Sequence, residues 1–479
     1  MFTIIRLRRA SAVLLISLLI PLRLLAGGAA EDADQASATD PSRTGQELIQ
    51  ETIEHLAAPE LAGRLTGSPG NRQAAEFLAG RLRELGLEPL VGADSLLEAY
   101  TQSVLRREAP AQLVIRAGAD GPMELEPGRD FQILIRHGAT IGGSIETTVV
   151  TPPEELNAGW IAAHRDHALL LDAETFAGLS EDRELMGRLF SPQSGPAAVL
   201  LGTPAQAKEM PRGVFLTHEE YPAGGPMLVQ ITAEVAEELR ALGEPRIEIS
   251  SSYRVESAEA ANVVAQLPVG RGGASAGGQA AGGGAGGGGS TDAPILLTAH
   301  FDGQGGTGAG VYYPGAVDNA SGVATVIAAA RLLAEDPPAD SGRRRPIWIV
   351  LFNGEEQGLY GSEAFAAAHE SDLAGATVVN IDMIGHSEEA AFSVVSTSAG
   401  RQIAAEVAER LEAAGFTANH GGQGRSDHLS FRGTAAAVTL VQAPYPSMHA
   451  PGDVAARADA AMLERVAEAL ATYVREETR

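Results

Sequence analysis

The sequence predicts an α/β protein: a mixed, mainly parallel sheet sandwiched between helices, interrupted by an inserted β-rich α+β domain. Three observations carry this expectation. Short, wholly apolar runs alternate with helix-period segments through the last third of the chain, as parallel strands covered on both faces do. Metal-type side chains fall at the ends of those runs. And from about residue 138 to 251 the pattern changes to strand-like runs with no dense cluster of such side chains.

The elements follow in order. Arg6, Arg8 and Arg9 precede an apolar run from Ala12 to Leu22, and small residues follow from Ala26 to Ala30. Residues 1–30 therefore read as a secretory signal, too short to span a bilayer comfortably, with Arg23 awkwardly close behind the run. The expected location is secreted or periplasmic; an uncleaved start would instead anchor the chain. After signal removal no stable membrane span is expected, and a lipid anchor is excluded because the chain has no cysteine. Residues 31–43 are polar and read as a disordered spacer. Gln46–Leu56 and Asn71–Leu85 have apolar residues at helical spacing, the second stopped by Gly86. Tyr100 to about Arg136 reads as short strands. Residues 44–137 and 252–479 are taken as one domain, and 138–251 as the insert.

Residues 270–290 hold 12 glycines in 21 positions, a composition that buries too little apolar area to offset its ordering entropy. A flexible loop is expected there, joining Asn262–Leu267 and Ile295–His300 as neighbouring strands. Then come the helix Ser321–Ala334, strand Ile347–Phe352, helix Gly358–Ala368, strand Thr377–Ile381, helix Ala399–Ala414, strand Ala436–Val441 and closing helix Asp459–Thr472.

Composition narrows the chemistry. With 479 residues, 44% apolar, there is room for a large core, but aromatics are only 5%. The net charge of −26 argues against nucleic acid as a partner. The absence of cysteine removes disulfides, thiolate zinc sites and a cysteine nucleophile.

Ligands in open α/β sheets bind beyond the carboxyl ends of strands. His300 ends one strand, Glu355 and Glu356 follow another, and Asp382 ends a third. Asp318 opens a helix, where free N–H groups favour a carboxylate. His449 lies in a proline-rich loop. Two divalent cations such as zinc suit these oxygen and nitrogen donors, and a carboxylate bridging both lets them approach within about 3.5–4 Å. Adjacent glutamates permit one to bind metal and the other to act as base on a bridging water. Asp302, two residues after His300, suits an acceptor fixing the imidazole tautomer. Metal-assisted hydrolysis is the leading reading.

Other patterns fail on context. Gly303–Gly308 matches a dinucleotide fingerprint but leads into Val-Tyr-Tyr-Pro rather than a helix. Gly273–Gly277 matches a nucleophile elbow inside the low-complexity stretch. No HExxH occurs. His164 and His167 read as surface residues of the insert.

The segments AHFD, PGAVDNASG, FNGEEQGLYGS, NIDMIG, SDH and HAPGD resemble, in order, those of the co-catalytic zinc aminopeptidase family of the bacterial leucine-aminopeptidase type. Its relatives include glutaminyl cyclases and the ectodomains of transferrin receptor and glutamate carboxypeptidase. The resemblance covers roughly residues 45–135 and 255–479, and its zinc-exopeptidase fold agrees with the sheet read above. It implies that Asp318 bridges two zinc ions, that His300 and Asp382 hold one and Glu356 and His449 the other, and that Glu355 is the general acid/base. It makes Ser426, Asp427 and His428 a supporting segment on the substrate side. The implied activity removes N-terminal residues from peptides with a free N-terminus. Glutaminyl cyclase or carboxypeptidase activity, or a non-enzymatic receptor on this fold, are the alternatives. The insert resembles a protease-associated domain. Two positions depart from the family pattern. Val317 replaces an acid, and Met448 replaces an aromatic able to polarise the substrate carbonyl, a role for which Tyr445 is the substitute.

Overall fold

The computed structural model describes residues 44–116, 121–134, 139–179, 182–203, 224–268, 293–338, 345–387, 389–422 and 424–478. The signal segment, the spacer and the glycine-rich loop expected at 270–290 lie outside these residues.

The central sheet runs in the order Ala418–His420, Phe392–Ser396, Ala436–Gln442, Thr377–Asp382, Ile295–His300, Ile347–Phe352, Arg246–Gln266. The four strands from Ala436–Gln442 to Ile347–Phe352 are mutually parallel, and antiparallel strands flank them on both sides. Their apolar sequences follow from burial on both faces. Leu297, Ala299, Ile349, Leu351, Val379 and Ile381 point into one core, while Leu296, Val350, Phe352 and Val378 point into another. This is the period-two alternation of a strand with two dry sides. The first core is closed by the helices Gly45–Leu56, Ser321–Glu335, Arg401–Ala413 and Ala460–Glu477, and the second by Tyr360–Ala368. The caps are written in the sequence. Thr44 and Glu47 form a reciprocal capping box, and Asp459 accepts from the N–H groups of Ala461 and Met462.

One expectation about neighbours fails. Asn262–Leu267 and Ile295–His300 do not pair, because Ile347–Phe352 lies between them. An apolar run carries no record of which run it will pair with.

The region expected as short strands is instead one long ribbon. Leu97–Ile115 runs antiparallel to Arg246–Gln266 over nearly its whole length, with irregularities around Ala109 and Pro110, where proline lacks the N–H a ladder needs. At one end the ribbon joins the central sheet through Val263–Gln266. At the other it carries the insert, whose strands Gly143–Val150, Ala168–Asp172, Ala198–Gly202 and Met227–Ile231 are parallel to one another. The insert's sheet starts before the boundary expected at 138. Phe131–Ile133 pairs with Met227–Ile231, and Phe131 and Ile133 share the insert's core with Leu113 and Ile115. Among the described residues one helix, Ala316–Glu335, is long and apolar enough to cross a membrane, and 89% of its apolar window is buried inside the protein.

Candidate metal centre

Register brings the expected side chains to one sheet edge. Asn380 is level with Thr298, so Asp382 and His300, two residues further on, leave the sheet together. Phe352 is level with His300, which puts the turn bearing Glu355 and Glu356 just beyond the same edge. Asp318 sits on an irregular turn, Ala316–Ala320, ahead of the core helix, with a cis Asp318–Asn319 peptide. The expectation of a simple helix opening is therefore too plain: Asp318 and Asn319 have non-helical backbone angles. His449 comes from the loop after Ala436–Gln442, in a left-handed conformation at φ 54°.

Two groups of three donors form, each with its donor atoms within 4.8 Å of one another. His300, Asp318 and Asp382 make one, and Asp318, Glu356 and His449 the other. Asp318 belongs to both. Its Oδ1 lies 3.5 Å from His300 Nε2 and its Oδ2 lies 3.1 Å from His449 Nε2. Asp382 Oδ1 is 3.3 Å from His300 Nε2, and Glu356 Oε2 is 2.9 Å from His449 Nε2. All five residues are buried.

Electrostatics shows what the cluster lacks. Burial pulls both imidazoles down, yet both are held well above the ordinary histidine range. Asp382 and Glu355 crowd His300, and Glu356 and Asp318 crowd His449. The carboxylates outnumber the cations within their reach. Burial pushes the Glu355 carboxyl well above the usual carboxylate range, with His300 opposing and Asp382, Asp427 and Glu356 reinforcing. Burial likewise raises Glu356. Asp318 goes the other way, because hydrogen bonds from the two imidazoles outweigh its burial. Five oxygen and nitrogen donors in two facing sets, one carboxylate shared, and a deficit of positive charge fit a pair of divalent cations.

The surroundings hold these donors still. Asp302 Oδ1 lies 3.5 Å from His300 Nδ1, too long for a firm hydrogen bond. Its carboxylate accepts the N–H groups of Glu355 and Glu356 at 3.1 and 3.2 Å, pinning the turn that carries both glutamates. Neither oxygen of Asp427 meets a hydrogen-bond partner among the described residues, and burial pushes its carboxyl up to about 7. Burial lowers His428 to about 4, and its Nδ1 is 2.7 Å from Thr439 Oγ1. The Tyr445 hydroxyl donates to Asp453 at 2.8 Å, and Tyr445 is absent from the pocket wall, where Met448 stands. This gives no support to the expected carbonyl-polarising role for Tyr445.

Sequence reasoning missed four contributors and gave a fifth, Ser426, only a general supporting place. Ser426 donates to Asp382 Oδ2 at 2.7 Å, and Asn380 in turn donates to Ser426. Asp453 accepts the N–H groups of Val317 and Asp318, and burial raises its carboxyl to about 6. Arg64 is wholly buried. It donates to the carbonyls of Leu56, Phe301, Pro314 and Gly315, so it ties the N-terminal segment to the loops bearing His300 and Asp318. The Gln304 amide lies against Glu356 and His449. The only signals were the neighbours: Ser426 in SDH, Asp453 in HAPGD, and Gln304 in the glycine-rich rim.

Residues 284–474 match the family model described as Peptidase family M28. This stretch is similar to the peptidases of that family. All six side chains discussed above, from His300 to His449, lie within it. In curated proteins, 76 residues of this chain are 40% identical to a probable zinc metalloprotease of Pyrenophora tritici-repentis, 16% of this chain and 16% of that protein. Another 40% match, over 92 residues, is to the vacuolar membrane protease of Schizosaccharomyces pombe, 19% of this chain and 10% of that one. The chain thus spans only 10% to 16% of the length of these relatives. The structural likeness is broader. The fold is similar to that of the aminopeptidase from Aneurinibacillus sp. strain AM-1, with TM-score 0.59 and 19% identity over 93% of this chain and 95% of that one. It is also similar to a zinc aminopeptidase from Bacillus subtilis, with TM-score 0.61 and 18% identity over 91% of this chain and 95% of that one. At such identities the likeness establishes the fold, and it reaches beyond the residues matched by the family model.

Proposed function

We propose that this chain is a dimetal aminopeptidase that hydrolyses N-terminal residues from peptides with a free N-terminus. The observation that carries the reading is Asp318, whose two oxygens face two different imidazoles in two donor sets. In this reading His300 and Asp382 hold one divalent cation, most simply zinc, Glu356 and His449 hold the other, and Asp318 binds both. When bound, the two ions make a water acidic enough to attack near neutral pH and polarise the scissile carbonyl.

The chain's own residues do the rest. Glu355 lines the pocket, is part-buried, and has a carboxyl raised above its ordinary range, as suits a group that takes a proton and returns it. It removes a proton from the attacking water and delivers it to the leaving amine. Asp302 keeps Glu355 and Glu356 in place through their backbone N–H groups, and Ser426 fixes the rotamer of Asp382. Asp427 and His428 support the substrate side of the cage. The basic, apolar N-terminus supports export to the periplasm or medium, and residues 138–251 take the part of a protease-associated-like insert.

The test is hydrolysis of an aminoacyl-chromophore panel, with and without chelator, alongside N-terminally blocked peptides. Free-amine substrates are cleaved, blocked ones are not, and chelator abolishes the rate. Cleavage only of blocked peptides from the carboxyl end, or cyclisation of N-terminal glutamine, would replace the reading with another. Glu355→Gln keeps its bound metal and loses about 10²–10⁴ in kcat. Normal turnover in that variant removes Glu355 from the chemistry.

A further inference from the structure

The pocket over the donor sets is lined by four carboxylates, Asp318, Glu355, Glu356 and Asp382, and by one side chain of permanent positive charge, Arg425. Arg425 is exposed, and it makes no hydrogen bond or ion pair with any described residue. Three of the pocket's four acids are already engaged: Asp318, Asp382 and Glu356 face His300 and His449.

The backbone under Arg425 is firmly set. The next residue, Ser426, is buried, donates to Asp382 and accepts from Asn380. Arg425 is therefore tethered beside one donor set, on the wall of the pocket. A planar guanidinium pairs with a carboxylate through two parallel N–H···O bonds. Met383 and Met448 stand on the same wall, and flexible thioether chains adapt to aliphatic parts of a ligand.

Building on the aminopeptidase reading, we infer that Arg425 binds a carboxylate of the substrate, so that this pocket prefers peptides carrying one beside the scissile bond. That carboxylate has two sources: an acidic N-terminal side chain, or the free α-carboxylate of a dipeptide.

Two matched pairs separate the sources. One is the p-nitroanilides of glutamate and glutamine, the other Leu-Gly and its C-terminal amide. The wild-type protein shows roughly a fivefold to tenfold higher kcat/KM for the carboxylate member of one pair, carried mainly by KM. The pair that shows it names the source. In Arg425→Gln the ratio within that pair falls to about one, and Arg425→Lys keeps part of it. Added salt erodes the wild-type ratio without any substitution, since an exposed ion pair is screened. If no free-amine substrate is cleaved at all, the aminopeptidase reading fails. Arg425 is then judged by calorimetry of glutamate against glutamine, with Leu-Gly against its amide, on the Glu355→Gln and the double Glu355→Gln, Arg425→Gln proteins. Equal rates and affinities within both pairs in the wild-type protein, or a preference that survives Arg425→Gln, overturns the inference.

Discussion

A carboxylate with an imidazole at each oxygen is the smallest unit on which the account turns. Asp318 stands between His300 and His449, and each of those meets a second acid, Asp382 or Glu356. Holding such a group demands neighbours that leave no alternative rotamer. Ser426 does this for Asp382, so Ser426→Ala should weaken metal binding about 10–100-fold while the fold persists. Competition of the variant with a chromogenic chelator reads that loss; an unchanged affinity denies Ser426 its role. Three of the ligand positions were legible in the sequence because each follows a sharp apolar run. His300, Asp382 and the Glu355–Glu356 pair stand where a dry strand stops. The contacts of Ser426, Asn380 and Asp453 were not. These residues act on partners 44, 46 and 135 or more residues away, and a lone polar residue carries no periodicity to betray its contact.

Elements bring these residues together, and one buried arginine stitches them. Arg64 holds carbonyls from three separate stretches, including Phe301 beside His300 and Gly315 ahead of Asp318. Arg64→Met leaves those carbonyls buried and unpaired and removes a cation from beside Asp302, Asp453, Glu356 and Asp318. A loss of about 3–5 kcal/mol in unfolding free energy is expected, measured by denaturant titration. A second link is pH-dependent. His369, after the helix Tyr360–Ala368, is 2.8 Å from Glu98 on the long ribbon, and this hydrogen bond raises its pKa. A histidine raised in the folded state stabilises fully below its unfolded value and loses that contribution as pH rises through the folded one. Glu98→Gln should therefore lower the melting temperature at about pH 5 and leave it nearly unchanged at about pH 9. A constant difference across that range contradicts the link. The ribbon itself was illegible in the sequence. Its strands pass from the central sheet through solvent into the insert, so their inward-facing pattern changes midway and reads as several short pieces. The central strands kept one environment throughout, and their ends fell within a residue of expectation.

At the scale of the whole molecule, an acid-rich chain of net charge −26 concentrates buried carboxylates at one sheet edge and leaves them short of positive charge. The stretch that matches the family model, residues 284–474, supplies all five donors, while the long ribbon ties the insert to the same sheet. The fold likeness to solved aminopeptidases extends over 91% to 93% of the chain. That two cations share one cage is the central claim, and metal content after exhaustive dialysis against zinc-free buffer tests it most directly. Elemental analysis should find two zinc equivalents per chain in the wild-type protein and fewer than one in Asp318→Ala, because both sites lose the same ligand. One equivalent or none in the wild type, or two retained without Asp318, contradicts it.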